Sequence, residues 1–146
     1  MRITIIGCGR WGSFHAWYSN HIGHEVTLYG RETSARMNQL IESRRNDYLI
    51  LPDTVKLTNN LQEAVVFGEV IVISIGSQQL RSFLRELNEI EGIDNKRFVL
   101  CMKGLESSTG NRLSTVLTDE INSALSIPNS ELTLTFAEHF AIIYNI

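Results

Sequence analysis

Three features of this chain could do chemistry: a glycine cluster at Gly7, Gly9 and Gly12, an arginine at position 31, and a lysine at position 103. The glycines are spaced G-x-G-x-x-G and follow directly on a β-branched run, Ile3, Ile5 and Ile6. Between a strand and a helix, that spacing has a mechanical reason. The first glycine makes the tight turn, the second lets the backbone approach a pyrophosphate, and the third lets the helix pack closely on the strand. The helix opening there turns its N–H groups and positive dipole end toward the anion. The plain alternative is a strand–turn–helix whose glycines serve only the turn. Lys103 closes the hydrophobic run Phe98–Met102 and precedes Gly104. An ammonium at such a strand end can stabilise the alkoxide that develops when hydride is delivered to a ketone, the nicotinamide supplying the hydride. Its alternative is a surface lysine that ends a strand.

Arg31 follows the run Glu25–Tyr29 and Gly30, where a dinucleotide-binding βαβ unit meets the adenosine ribose. A guanidinium fork suits a 2′-phosphate, which favours NADP; Glu32 beside it keeps NAD open. Gly76 and Ser77 end the most hydrophobic run of the chain, Val70–Ile75, and so fall where ligands bind in open α/β sheets. The four histidines have no ligand-like spacing, so no metal site is expected. Cys8, inside the glycine loop, reads as a small buried side chain, and Cys101 as an inert strand residue.

Positioning these groups takes an alternation of strands and helices. The sequence predicts strands at Ile3–Ile6, Glu25–Tyr29, Val55–Leu57, Val70–Ile75, Phe98–Met102 and Glu131–Phe136. Helices are predicted at Ser13–Asn20, Ser34–Arg45, Leu61–Val66, Gln78–Ile90 and Leu113–Leu125. Phe14, His15, Trp17 and Tyr18 are expected to pack against the sheet or a partner. The alternation predicts an α/β fold with a doubly wound, mostly parallel sheet of Rossmann type over residues 1–146. Its carboxyl edge would gather Gly7–Gly12, Arg31, Gly76, Ser77 and Lys103.

Composition narrows the function classes. A net charge of −3 gives no electrostatic case for nucleic acid or an anionic membrane. No apolar run reaches the length of a membrane span, and the chain opens on a strand rather than a signal peptide, so a cytoplasmic location is expected. Two cysteines do not make a disulfide framework.

Taken together, these residues resemble the bacterial-type NAD(P)-dependent glycerol-3-phosphate dehydrogenases. Gly7-Cys-Gly-Arg-Trp-Gly12 is similar to the family's G-A-G-S-W-G, and Gly23 to Arg31 to its G-H-E-V-x-L-W-x-R. Tyr48-Leu49, Leu51-Pro52 and Asn60–Ala64 resemble its Y-L-P…L-P…D-L-x-E-A segment. Lys103-Gly104-Leu-Glu106…Thr109-Gly110…Leu113-Ser114 resembles its K-G-I-E…T-G…L-S block.

The resemblance implies reduction of dihydroxyacetone phosphate to sn-glycerol 3-phosphate with NADP or NAD. It implies that Arg10 and Trp11 line the dinucleotide diphosphate, Arg31 the ribose phosphate, and that Lys103 contacts both cofactor and substrate. Ala141 would fall near the nicotinamide, and Ala137 and His139 at the substrate positions. There the chain departs from the family: Phe136-Ala-Glu-His-Phe-Ala141 stands in place of S-G-P-S-F-A. The family's helical substrate domain is expected to be absent from these 146 residues, so little turnover is expected of the chain alone. A homo-oligomer is expected from apolar surface left uncovered. A non-catalytic NADP(H)-binding module is the second reading. A ketopantoate reductase is a third, against which the Lys103 block argues.

Overall fold

The computed structural model of the chain describes residues 1–93 and 95–125, with side chains described through residue 121. Its elements are β1 (Arg2–Ile6), α1 (Arg10–His21), β2 (Glu25–Tyr29), α2 (Ala35–Ser43), β3 (Lys56–Thr58), α3 (Leu61–Phe67), β4 (Val70–Ile73), α4 (Leu80–Asn88), β5 (Arg97–Leu100) and α5 (Leu113–Leu125). A short 3-10 turn, Ser77–Gln79, leads into α4. The strands form one parallel sheet in the order β3-β2-β1-β4-β5. The chain therefore winds one way from β1 to β3 and the other way through β4 and β5. That reversal opens a crevice at the carboxyl ends of β1 and β4.

β1 is central, and Ile3, Thr4, Ile5 and Ile6 are all buried, as expected of a strand covered on both faces. Its register sets Ile5 opposite Leu28 on one side and Val72 on the other. On one face, Ile3, Ile5, Val26 and Leu28 pack with Ala16 of α1 and Met37 and Leu40 of α2. On the other, Ile6, Ile71, Ile73 and Phe98 pack with α3, α4 and α5. Leu80, Phe83, Leu84 and Leu87 form the i, i+3, i+4, i+7 stripe of α4, and all four are buried. The polar exception in the central strand is Thr4, whose hydroxyl donates to the Ala64 carbonyl at 2.6 Å and so ties α3 to β1.

The predicted alternation holds, with shifts at the ends of elements. α1 starts three residues earlier than Ser13, which puts Arg10 and Trp11 in its first turn. β4 stops at Ile73, and Ser74, whose N–H still donates to the Ile6 carbonyl at 2.8 Å, and Ile75 line the crevice. α2 is capped by Ser34, which accepts from the Met37 N–H, and ends at Arg44 in the left-handed region (φ 57°). Of the bulky α1 groups, His15 is buried, whereas Phe14, Trp17 and Tyr18 are half-buried and pack largely on one another. Phe14 stacks on Tyr18 and Trp17 on His21, since three- and four-residue spacings share a helix face. The strand expected at Glu131–Phe136 lies outside the described residues.

Candidate dinucleotide site

A cavity of about 1020 Å³ opens at the carboxyl edge of the sheet. Its floor is the glycine loop. Gly7 has φ +110°, and a Cβ there would stand 2.3 Å from the Ser74 carbonyl oxygen. A Cβ on Gly12 would stand 1.7 Å from the Gly7 carbonyl oxygen, so only glycine lets α1 lie this close to the turn. Gly9 differs from both. Its φ is −74°, and the nearest atom to an added Cβ is Arg36 Nη1 at 4.0 Å, so its missing side chain leaves open space in the cavity. Gly9 is also the N-cap of α1, where no side chain caps the helix and no acidic residue occupies the first turn. The N–H groups that a helix start leaves without intrahelical partners stand at this wall.

Of the sequence-predicted residues, Gly7, Gly9, Arg10, Trp11, Arg31, Gly76 and Lys103 all line the cavity. Gly12 and Ser77 do not. Gly12 is buried beneath Gly7, and Ser77 lies in the 3-10 turn with its hydroxyl accepting from Gln78 Nε2 at 3.2 Å. Ala137, His139 and Ala141 lie outside the described residues. Arg10 stacks its guanidinium on the Tyr48 ring at 4.5 Å, and Trp11 is 48% exposed at the mouth. Cys8 is buried with its Sγ 3.4 Å from Ser34 Oγ. Cys101 stands just past β5 and lines the cavity, where burial pushes its thiol up to about 11, so it stays protonated near neutrality.

Charge in the cavity is one-sided. Arg10, Arg31, Arg36 and Lys103 line it, and among the described residues no carboxylate does. Glu32, beside Arg31 in the sequence, is exposed and is not part of the lining. Arg31 is held from outside by Glu86 of α4, at 3.2 Å. Burial, then the nearby Glu86 carboxylate, raise the Tyr29 phenol at the cavity's inner wall.

Lys103 rides on a loop that is tied down on two sides. Arg81 of α4 makes a bidentate pair with the buried Glu106 at 2.7 and 2.8 Å, and it also bonds Glu120 of α5. The Arg81 bonds, then the Thr109 hydroxyl, hold the Glu106 carboxyl down to about 2, and Glu106 raises the Arg81 guanidinium further above its ordinary range. Gln78 uses both ends of its amide on the same loop, donating to the Leu105 carbonyl at 2.9 Å and accepting from the Ser107 N–H at 2.8 Å. The sequence reading missed Arg36, Glu86, Gln78 and Arg81. Arg36 had a usable signal, since it falls in the first turn behind the Ser34 cap. The other three are ordinary polar residues of a surface helix until the fold supplies their partners.

A model of the NAD-dependent glycerol-3-phosphate dehydrogenase N-terminus matches residues 2–129. The chain belongs to this family. Among curated relatives, it is 30% identical over 128 residues to the glycerol-3-phosphate dehydrogenase [NAD(P)+] of a Thermoanaerobacter strain, covering 84% of this chain and 38% of that protein. It is 32% identical over 127 residues to the Listeria monocytogenes enzyme, covering 84% of this chain and 37% of that one. The chain thus spans less than two fifths of the length of these relatives. Among solved structures, the Coxiella burnetii glycerol-3-phosphate dehydrogenase superimposes with a TM-score of 0.72 at 24% identity, over 82% of this chain and 37% of that one. The Plasmodium falciparum enzyme gives 0.70 at 20% identity, over 84% and 38%. Both share the fold. Membership of the family agrees with the resemblance carried by the glycine loop and the Lys103 block.

Proposed function

We propose that this chain forms the cofactor-holding half of a glycerol-3-phosphate dehydrogenase, binding NADP(H) or NAD(H) in the cationic cavity. The observation that carries this is the combination at one sheet edge of an open Gly9 wall, a helix start without a side-chain cap and four cationic side chains with no lining carboxylate among the described residues. That surface suits a ligand with several phosphate charges. Gly9 and the α1 N-terminus would hold the diphosphate, with Arg10 and Trp11 beside it, Arg31 at the adenosine ribose, and Gly76 along the opposite rim.

When bound, the nicotinamide would supply the hydride that reduces the C2 ketone of dihydroxyacetone phosphate to the C2 alcohol of sn-glycerol 3-phosphate, or accept it in reverse. Lys103 would place its ammonium at the carbonyl oxygen, where negative charge grows as the carbon is reduced. Glu106, Arg81 and Gln78 would fix the loop from which Lys103 reaches. Ala141 toward the nicotinamide, and Ala137 and His139 toward the substrate, belong to the same reading.

We assign residues 1–146 to the cofactor domain alone, so turnover by this polypeptide by itself would be weak or absent. Self-association and a cytoplasmic location are part of the reading. The first is supported by the exposed Trp11, Tyr48 and Ile50, the second by the absence, among the described residues, of any helix long and apolar enough to cross a membrane. A purely binding role is the second reading, favoured by the replacement of the family's S-G-P-S-F-A by residues 136–141. Calorimetric titration with NADPH and NADH tests the site, and NADPH oxidation with dihydroxyacetone phosphate separates the readings. Binding that Gly9→Val abolishes supports the cofactor site. Measurable turnover, even if weak, refutes the purely binding role; binding without turnover is expected of both readings, and no binding of either nucleotide refutes both.

A further inference from the structure

The sequence gives the rim at the end of β2 one candidate phosphate-reading residue, Arg31, but the fold places two guanidiniums there. Arg31 is shared with Glu86 at 3.2 Å, and both side chains are about half exposed. Arg36 lines the same cavity from the first turn of α2, forms no ion pair among the described residues, and brings Nη1 to within 4.0 Å of the position a Cβ on Gly9 would occupy. The connection between β2 and α2 adds Thr33 and Ser34 to this rim, while the exposed Glu32 does not line the cavity.

We propose that Arg36 is the specificity-determining residue for a 2′-phosphorylated dinucleotide, gripping a ribose phosphate monoester with Arg31 as its second arm. The inference rests on the dinucleotide reading of the cavity and deepens it. The Arg36 tip reaches toward Gly9, so a diphosphate contact is the competing role, and it is the place of the residue in the first turn of α2 that favours the 2′ position. The diphosphate belongs at the start of α1, whereas the 2′ position of the adenosine ribose belongs at the end of the second strand, where α2 begins. Chemistry points the same way. A ribose carrying a free 2′-hydroxyl is recognised by an acceptor carboxylate at this place, and none lines the rim among the described residues. Two guanidiniums with hydroxyls beside them suit a dianionic monoester, because each fork can make paired charge-assisted hydrogen bonds to its oxygens.

The test is calorimetric titration of the full chain and of Arg36→Leu and Arg36→Lys with NADPH, NADH and 2′-AMP at one fixed salt concentration. Arg36 is exposed, and thermal melting checks that each variant is folded. The expected result for Arg36→Leu is a loss of NADPH affinity of about tenfold or more, the scale of a lost charge-assisted pair. NADH binding should stay within about twofold, 2′-AMP binding should be lost, and Arg36→Lys, which keeps the charge without the fork, should fall between. Equal losses for NADPH and NADH would assign Arg36 to the diphosphate and overturn the proposal, as would unchanged affinity for both. Failure of the unsubstituted chain to bind any of the three would instead remove the dinucleotide reading, and this inference with it.

Discussion

The three glycines of the loop offer a perturbation that should separate stability from binding. In Gly12→Ala the new methyl would lie 1.7 Å from the Gly7 carbonyl oxygen and 2.8 Å from its carbon, both backbone atoms that cannot rotate away. Relief requires α1 to move off β1, at the upper end of overpacking costs, about 3 kcal/mol or more. For a domain of this size that is a fall in Tm of roughly 6–12 °C. Gly7→Ala meets the Ser74 carbonyl oxygen at 2.3 Å and also forces a side chain onto φ +110°. The backbone strain alone is about 1–3 kcal/mol. Gly9→Ala is the contrast. Its backbone at φ −74°, ψ −172° accepts any L residue, and the nearest atom to the new Cβ is an arginine tip 4.0 Å away. Lower entropy of the unfolded chain favours that variant by about 0.4–1 kcal/mol, and the poorer N-cap that alanine makes offsets this, so its stability should be nearly unchanged. Its methyl nonetheless fills the space into which a diphosphate would come. The assay is thermal denaturation followed by circular dichroism, paired with NADPH titration of each variant. Gly9→Ala should melt close to the unsubstituted chain and bind more weakly, while Gly12→Ala should melt well below it. A Gly9→Ala protein destabilised as much as Gly12→Ala, or one that binds NADPH unchanged, would refute the division of roles.

Glu86→Gln should release Arg31 and raise NADPH affinity by no more than about fivefold, the reach of an exposed ion pair, with NADH affinity unchanged in the same titration. Arg81→Met should lower Tm by several degrees by leaving Glu106 and Glu120 without their shared guanidinium, and a melting curve decides it. The Glu106 carboxyl, held down to about 2 from an ordinary 4.5, contributes stability that is fully present above pH 4.5 and is lost as pH falls from there toward 2. In Glu106→Gln that part of the acid dependence should disappear from denaturation curves taken across the window. Burial lowers the His15 imidazole below its ordinary 6.5, so it favours the folded chain above that value and opposes it as pH falls through and below it. His15→Gln should flatten the melting profile between pH 7 and the lowered value, and an unchanged slope would contradict the assignment.

How much of this was legible in the residues depends on the distance over which each feature is encoded. The buried β1, the stripe Leu80, Phe83, Leu84 and Leu87, and the roles of Gly7 and Gly12 follow from local spacing, because strand and helix periods and a tight turn act within a few residues. Lys103 could be placed at the sheet edge for the same reason, since it ends a hydrophobic run. Even the winding of the sheet is implied by alternating strands and helices joined through right-handed crossovers. Tertiary structure decided the partners. Glu86 lies 55 residues from Arg31, and Glu106 lies 25 from Arg81, yet each pair closes within hydrogen-bond reach. Nothing in the spacing of a charged residue on a surface helix says which loop it will meet. That is set by the packing of α4 against α5, and by the reversal that opens the crevice between β1 and β4. The sequence by itself determined that a glycine loop would stand at the carboxyl edge of a parallel sheet. Only the assembled layers decided that Arg36 would lean over it, because a side chain's neighbours across an α/β sheet are chosen by topology and not by chain distance.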